Sequence, residues 1–203
     1  MQLQETILFK TSCITTYIEW PHQDDLLKEV ENIRNIYSNT RVQKSNVGGF
    51  QTVDFKIYDN RFVRILFENF IKPAAKEVGK LWNIPCNMNN VSYWYNINPK
   101  NTFNREHIHA GAFLSGVFYL QVPTDSGRIV FVRSVNEYDR MHHIQKEFAN
   151  NHLKIDNPEV NTEHWIYPFP GLLLLFPGHL SHYVEQNNTQ EHKDERISIS
   201  FNF

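Results

Sequence analysis

Cysteine is scarce in this sequence: Cys13 and Cys86, outside any Cys-x-x-Cys pair, are the only two among 203 residues. That excludes a disulfide-built scaffold and a structural zinc site made of thiolates, and leaves both thiols expected as small buried apolar groups. Charge of one sign is missing as well. Twenty basic residues against 22 acidic ones give a net charge of -2, no electrostatic footprint for nucleic acid or an anionic membrane. No apolar run approaches the roughly 20 residues that cross a bilayer; the longest, Leu172 to Pro177, is strand-sized. The opening ten residues carry Glu5 and lack the basic start, apolar stretch and small-residue cleavage site of a secretory signal. The expectation is a soluble chain of a reducing, cytoplasmic compartment, with neither membrane nor nucleic acid as partner.

What is present is a core. The chain is 41% apolar and 14% aromatic, with 15 Phe, 9 Tyr and 4 Trp, enough for one sizeable domain and too much for a disordered chain. Ser12 to Trp20, rich in Thr, Ile and Tyr, reads as an opening strand. After Pro21, Leu26, Val30, Ile33 and Tyr37 recur at helical steps, with Asp24 and Asp25 in the first turn where the helix dipole favours acids. Gly48-Gly49 precedes a short segment, Phe50 to Ile57. A second helix follows, with Phe62, Leu66, Phe70, Ala74, Val78 and Leu81 expected on one face, and Pro73 predicts a kink or break inside it.

Beyond Ile84-Pro85 the grammar becomes strands. Val91–Ile97, Leu114–Val122, Arg128–Arg133, Leu172–Phe176, His182–Glu185 and Arg196–Phe203 are aromatic or β-branched and bounded by turn residues. Helices followed by six strands predict a β-sandwich or barrel backed by helices, not a parallel βαβ sheet. The polar stretch from 134 to about 164 interrupts this rhythm, and at some 30 residues it reads as a lid or binding loop.

Ten histidines are the compositional excess. His107 and His109 are two apart, so an extended strand points both to one face, the spacing by which one strand offers a metal two ligands. Far along the chain, FPGHLSHYVEQ supplies His179 and His182, of which His182 is preferred because Val184 continues a strand whereas His179 sits in a turn. His142, His143, His152, His164 and His192 lie in polar surroundings and read as solvated. Arg196 opens the last strand with Ser198 on its face; inside a barrel a guanidinium is costly unless a carboxylate meets it. The bland reading of Arg196 is a surface ion pair with Asp194 or Glu195, and that of Tyr119 is ordinary core.

The segments SNVGGFQT (45–52), NREHIHAGAFLSGVFYLQVP (104–123), GLLLLFPGHLSHYVEQN (171–187) and RISISFN (196–202) together resemble the 2-oxoglutarate- and Fe(II)-dependent oxygenases of the bacterial and phage type. The resemblance implies one domain over residues 1–203. Its fold would be mainly β with flanking α: a double-stranded β-helix, jelly-roll or cupin-like, over 91–203, with residues 1–90 as a strand and supporting helices. It implies Fe(II) as cofactor, 2-oxoglutarate and O2 as cosubstrates, and oxidative decarboxylation to succinate coupled to hydroxylation of an unknown protein, peptide or small molecule. The iron ligands would be His107, His109 and His182, and the cosubstrate carboxylate would meet Arg196, Ser198 and Tyr119. The superfamily usually writes a carboxylate where this chain has His109, and Glu106 and Asp125 are the nearest acids that could replace it. Two other classes fit the residues: a cupin-like three-histidine metalloenzyme without 2-oxoglutarate, and a non-enzymatic jelly-roll binding protein.

Overall fold

The computed structural model describes residues 11–83, 88–133, 163–190 and 194–203. Cys86, His142, His143, His152, His192 and nearly all of the 134–164 stretch lie outside them. The chain starts with strand β1 (Ile14–Tyr17) and helix α1 (Gln23–Ile36), which buries Leu26, Val30 and Ile33 as its periodicity requires. Three two-residue strands follow, β2 (Asn46–Val47), β3 (Phe50–Gln51) and β4 (Phe55–Lys56). Helix α2 (Arg61–Leu66) is capped by Asn60, whose Oδ1 accepts from the backbone N–H of Phe62 and Val63 at 2.8 and 3.0 Å.

The break expected at Pro73 takes a particular form. Phe67–Ile71 widens into a π-turn immediately ahead of helix α3 (Lys72–Trp82), which carries Pro73 in its first turn, where a missing N–H costs nothing. The π-turn also rotates the buried face. Val63, Leu66, Phe67, Ile71, Ala75 and Val78 are buried, whereas Phe62, Phe70 and Ala74 are only partly so and Leu81 is exposed. An uninterrupted 3.6-residue period misses that shift.

The remaining strands are β5 (Ser92–Asn98), β6 (Phe103–His107), β7 (Leu114–Gln121), β8 (Ile129–Val132), β9 (Glu163–Ile166), β10 (Leu172–Pro177), β11 (His182–Val184) and β12 (Arg196–Asn202). Two corrections to the sequence reading follow. Residues 163 and 164 belong to strand β9, not to the connecting stretch, and His109 lies just past the end of β6. All pairings are antiparallel and build two facing sheets, one ordered β1-β10-β7-β12-β5-β3 with β4 also on β5, the other β2-β6-β11-β8-β9. This is the double-stranded β-helix.

Strand alternation divides the larger sheet into two environments. On its outer face Leu173, Leu175, Ile197, Ile199, Phe201, Tyr93, Tyr95 and Ile97 pack with the helices into the main core. On its inner face β10 and β7 present Leu172, Leu174, Phe176, Val117 and Tyr119, which join Ile129 and Phe131 of the smaller sheet. The inner faces of β12 and β5 are polar instead: Arg196, Ser198 and Ser200 beside Asn96 and Asn98, with Gln51 next to them on β3. Polar side chains pointing into a barrel are expensive to bury, so this half of the interior marks a site.

Gly116 is where the two sides of β7 come closest to their neighbours. A Cβ there would meet the Phe201 ring and stand 2.7 Å from the Leu174 carbonyl oxygen. Gly116→Ala is expected to destabilise by about 1–3 kcal/mol through overpacking, measured by urea unfolding.

Candidate metal centre and cosubstrate pocket

A bulge makes the site. On β11, His182 faces His107 and Val184 faces Asn104, so between these pairs two residues of β6, Arg105 and Glu106, oppose the single Tyr183 of β11. All four residues from Asn104 to His107 line the cavity, Arg105 and Glu106 as exposed side chains, Asn104 buried and His107 half-buried. His182 is buried between β6 and β8. His109 is placed by a backbone bond from its N–H to the Gly178 carbonyl, 2.8 Å long.

The three rings gather at one point. Centroid separations are 4.4 Å for His107–His182, 5.1 Å for His109–His182 and 5.3 Å for His107–His109, and one nitrogen from each lies within 4.8 Å of the others. Each ring is oriented through Nδ1. His107 donates to the Arg105 carbonyl at 2.7 Å, His182 to the Leu180 carbonyl at 2.8 Å, and His109 to Asn202 Oδ1 at 2.7 Å. With Nδ1 carrying the proton in all three, Nε2 keeps a lone pair for a metal. Burial pushes all three imidazoles down, His182 to about 3, with mutual repulsion between the rings adding to the shift at His109 and His182. They are therefore neutral at neutral pH, each with a lone pair that could meet a metal. Among the described residues this is the metal-capable group, and it contains no carboxylate. Glu106 is exposed and accepts from Ser181 Oγ at 2.6 Å, and Asp125 sits exposed in a turn. His179 and His164 are exposed and apart from the cluster.

Asn202 had no part in the sequence reading, although it continues the alternation Arg196, Ser198, Ser200 along β12. Its Oδ1 also accepts from Ser115 Oγ at 2.8 Å, which holds it beneath His109. Asn202→Ala is expected to weaken metal binding by about 10- to 100-fold with little change in the far-UV spectrum, read by metal titration.

Across the same cavity of about 460 Å³, Arg196 points inward from β12 and is 1% exposed. It is not the surface ion pair considered above, since Glu195 turns to Arg34 at 2.5 Å. Its Nη1 donates to the Ser126 carbonyl and, at 3.4 Å, to that of Glu185. Gly127 permits this approach: it has φ +84°, and a Cβ there would lie 2.6 Å from the Glu185 carbonyl oxygen. Arg196 Nη2 is buried and has no hydrogen-bond partner among the described residues. Burial lowers the guanidinium pKa, opposed by the nearby Tyr119 and Glu185. Tyr119 is pushed up to about 12 by burial and therefore stays a neutral hydroxyl. It lies opposite Ser198 in the β7–β12 pairing, and both line the cavity. An unpaired forked donor beside two hydroxyls fits a carboxylate, and three neutral imidazole nitrogens fit Fe(II).

Residues 92–202 match the family described as "Putative 2OG-Fe(II) oxygenase", and the chain belongs to this 2OG-Fe(II) oxygenase family. Solved structures carry the same fold. A Pseudomonas putida prolyl-4-hydroxylase aligns with TM-score 0.65 at 14% identity over 95% of this chain and 92% of its own. The non-heme alpha-ketoglutarate-dependent carbocyclase SnoK of nogalamycin biosynthesis aligns with TM-score 0.62 at 14% identity, over 94% of this chain and 78% of its own. HygX from Streptomyces hygroscopicus, solved with nickel and 2-oxoglutarate bound, aligns with TM-score 0.56 at 11% identity over 95% and 83%. No curated protein matches in sequence. The protein is a 2-oxoglutarate-dependent oxygenase, with Fe(II) as its metal and 2-oxoglutarate and O2 as cosubstrates. Among the described residues, no helix is long and apolar enough to cross a membrane.

Proposed function

We propose that His107, His109 and His182 hold the iron, that Arg196, Ser198 and Tyr119 hold the distal carboxylate of 2-oxoglutarate, and that the enzyme hydroxylates a C–H bond of its primary substrate. The observation that carries this reading is Arg196 Nη2, a buried cationic donor with no partner, in the cavity lined by the three histidines. Leaving such a group unpaired costs several kcal/mol or a share of its charge, and a carboxylate ligand removes that cost.

The division of labour follows from the side chains. Bound iron supplies the redox chemistry by which O2 oxidises 2-oxoglutarate to succinate and CO2 and places one oxygen on the substrate. The histidines would hold the metal through three neutral Nε2 donors, and the cavity they line would receive the cosubstrate. Three imidazoles add no negative charge, so dianionic 2-oxoglutarate balances the Fe(II) charge. Arg196 fixes the far end of that dianion, with Tyr119 and Ser198 hydroxyls beside it. Ile129, Phe176 and Val117 line the same cavity and would exclude water from the reacting end.

An anaerobic titration of the full chain with Fe(II) and then 2-oxoglutarate tests the reading. A visible charge-transfer band saturating near one equivalent of iron, followed on aeration by succinate formation, is expected. Iron binding without that band would favour a three-histidine enzyme that does not use 2-oxoglutarate. Absence of iron binding would favour a binding protein.

A further inference from the structure

Tyr119, Ser198, Asn96 and Gln51 form one cross-strand row over β7, β12, β5 and β3, each paired in register with the next and all lining the cavity. The first two belong to the proposed carboxylate site. Gln51 lies two strand spacings from Ser198, roughly 10 Å. A five-carbon diacid spans only roughly 6 Å at about 1.5 Å per bond, so one anchored on Arg196 and directed at the histidines does not need this end.

The chemistry of the two ends differs. Asn96 Nδ2 donates to Ser200 Oγ at 2.9 Å, and Asn98 Nδ2 contacts Asn104 Oδ1 at 3.4 Å, so both residues keep a free Oδ1 on the wall. Gln51 is 3% exposed, and its side-chain amide has no hydrogen-bond partner among the described residues. Its backbone is nevertheless held firmly: Gln51 pairs with Asn96, its carbonyl accepts from Val42 N–H at 2.9 Å, and the next residue, Thr52, bonds Tyr95 through both N–H and Oγ1. An amide that faces the cavity from a pinned backbone, with no side-chain hydrogen bond among the described residues, is placed to meet a bound molecule.

We propose that the β3–β5 wall is the primary-substrate subsite, that Gln51 is its specificity-determining residue, and that it receives a neutral carboxamide group. Two carbonyl oxygens on the wall repel a carboxylate and accept N–H donors, while the Gln51 amide offers both a donor and an acceptor, the complement of another amide. Charge beside this wall is balanced and selects neither sign: Lys44, paired with Asp54 at 3.6 Å, and Arg105 line the cavity together with Glu106, so the choice falls to the amide groups themselves. Trp94, two residues before Asn96 on β5 and 5.6 Å from the His109 ring, supplies an apolar surface for the carbon chain leading from the amide to the metal side. The assignment of this wall to substrate rests on the cosubstrate taking the Arg196 end.

The test uses the 15N-labelled full chain without added metal. The Gln51 side-chain NH2 signal, assigned by its loss in Gln51→Leu, is followed during titration with acetamide, acetate and methylammonium. Acetamide is expected to move it saturably, and the two charged probes to leave it in place. Gln51→Leu is expected to weaken acetamide at least about fivefold, read on the Asn96 and Asn98 side-chain signals, with 2-oxoglutarate and Zn(II) titrating as in wild type. No response to acetamide, an equal response to acetate, or loss of 2-oxoglutarate affinity in Gln51→Leu overturns the proposal. Failure of the underlying reading looks different: wild-type protein that binds neither Zn(II) nor 2-oxoglutarate.

Discussion

Arg196→Met is expected to cut 2-oxoglutarate affinity by about 30- to 1,000-fold while leaving the folded protein as stable as wild type or more so. The two halves have one cause. In the ligand-free protein the guanidinium is buried with one nitrogen unpaired and no carboxylate in contact, so its desolvation is offset only by the Ser126 and Glu185 carbonyls. Met fills a similar volume without that cost, though it strands those two carbonyls. On the proposed reading the same charge would meet the cosubstrate carboxylate in a site of low dielectric, where removing one partner is worth about 2–5 kcal/mol. Stability that held the fold in place was exchanged for binding, as functional sites commonly do. The checks are calorimetric titration with 2-oxoglutarate and urea unfolding of the unliganded variant. A variant that binds 2-oxoglutarate like wild type would remove Arg196 from the cosubstrate site. A large loss of stability would make it a structural residue.

His107→Ala and His182→Ala are each expected to lower Fe(II) affinity by at least about 100-fold, measured by anaerobic titration, with unchanged far-UV circular dichroism. If the three imidazoles hold the ion together, as proposed, two of them without the third would leave little to hold it. The fold is expected to survive because neither side chain anchors the main core, which lies on the other face of the larger sheet. His182→Ala leaves a cavity against Phe131 and Phe176, whose rings lie 5.9 and 4.8 Å from the imidazole, so a modest loss of stability is expected there alone. Iron affinity at the wild-type level in either variant would refute the ligand assignment. The complementary substitution His179→Ala is expected to change nothing, since that ring is exposed in the turn before β11.

Residues on one strand were easy to relate from sequence alone. Arg196-Ile-Ser-Ile-Ser-Phe-Asn202 alternates strictly, so each side chain's face follows from its position, and the same two-residue step relates Arg196 to Ser198. Reading that alternation to its end would also have found Asn202. The helical faces were harder. The period from Phe62 to Leu81 is regular on paper, but burial falls on Val63 ahead of the π-turn at Phe67–Ile71 and on Ile71 and Ala75 at and after it, and Leu81 is left in solvent. Proline placed the break without specifying its geometry. Gln51 was missed because its strand is two residues long and no local pattern distinguishes it from a turn.

The sequence by itself determined that helices come first and strands after, though without β6 and β9, and it determined the face shared by Arg196 and Ser198 and the two histidine segments, because these depend on side-chain periods of a few residues. Only the tertiary structure decided that His182 stands opposite His107 across a bulge, that three carbonyl-type oxygens fix the ring tautomers, and that Arg196 turns into the barrel with one nitrogen free. Those facts depend on cross-strand register and on backbone groups from distant segments. A local pattern specifies which face a residue occupies but leaves open which partner the folded chain brings to meet it.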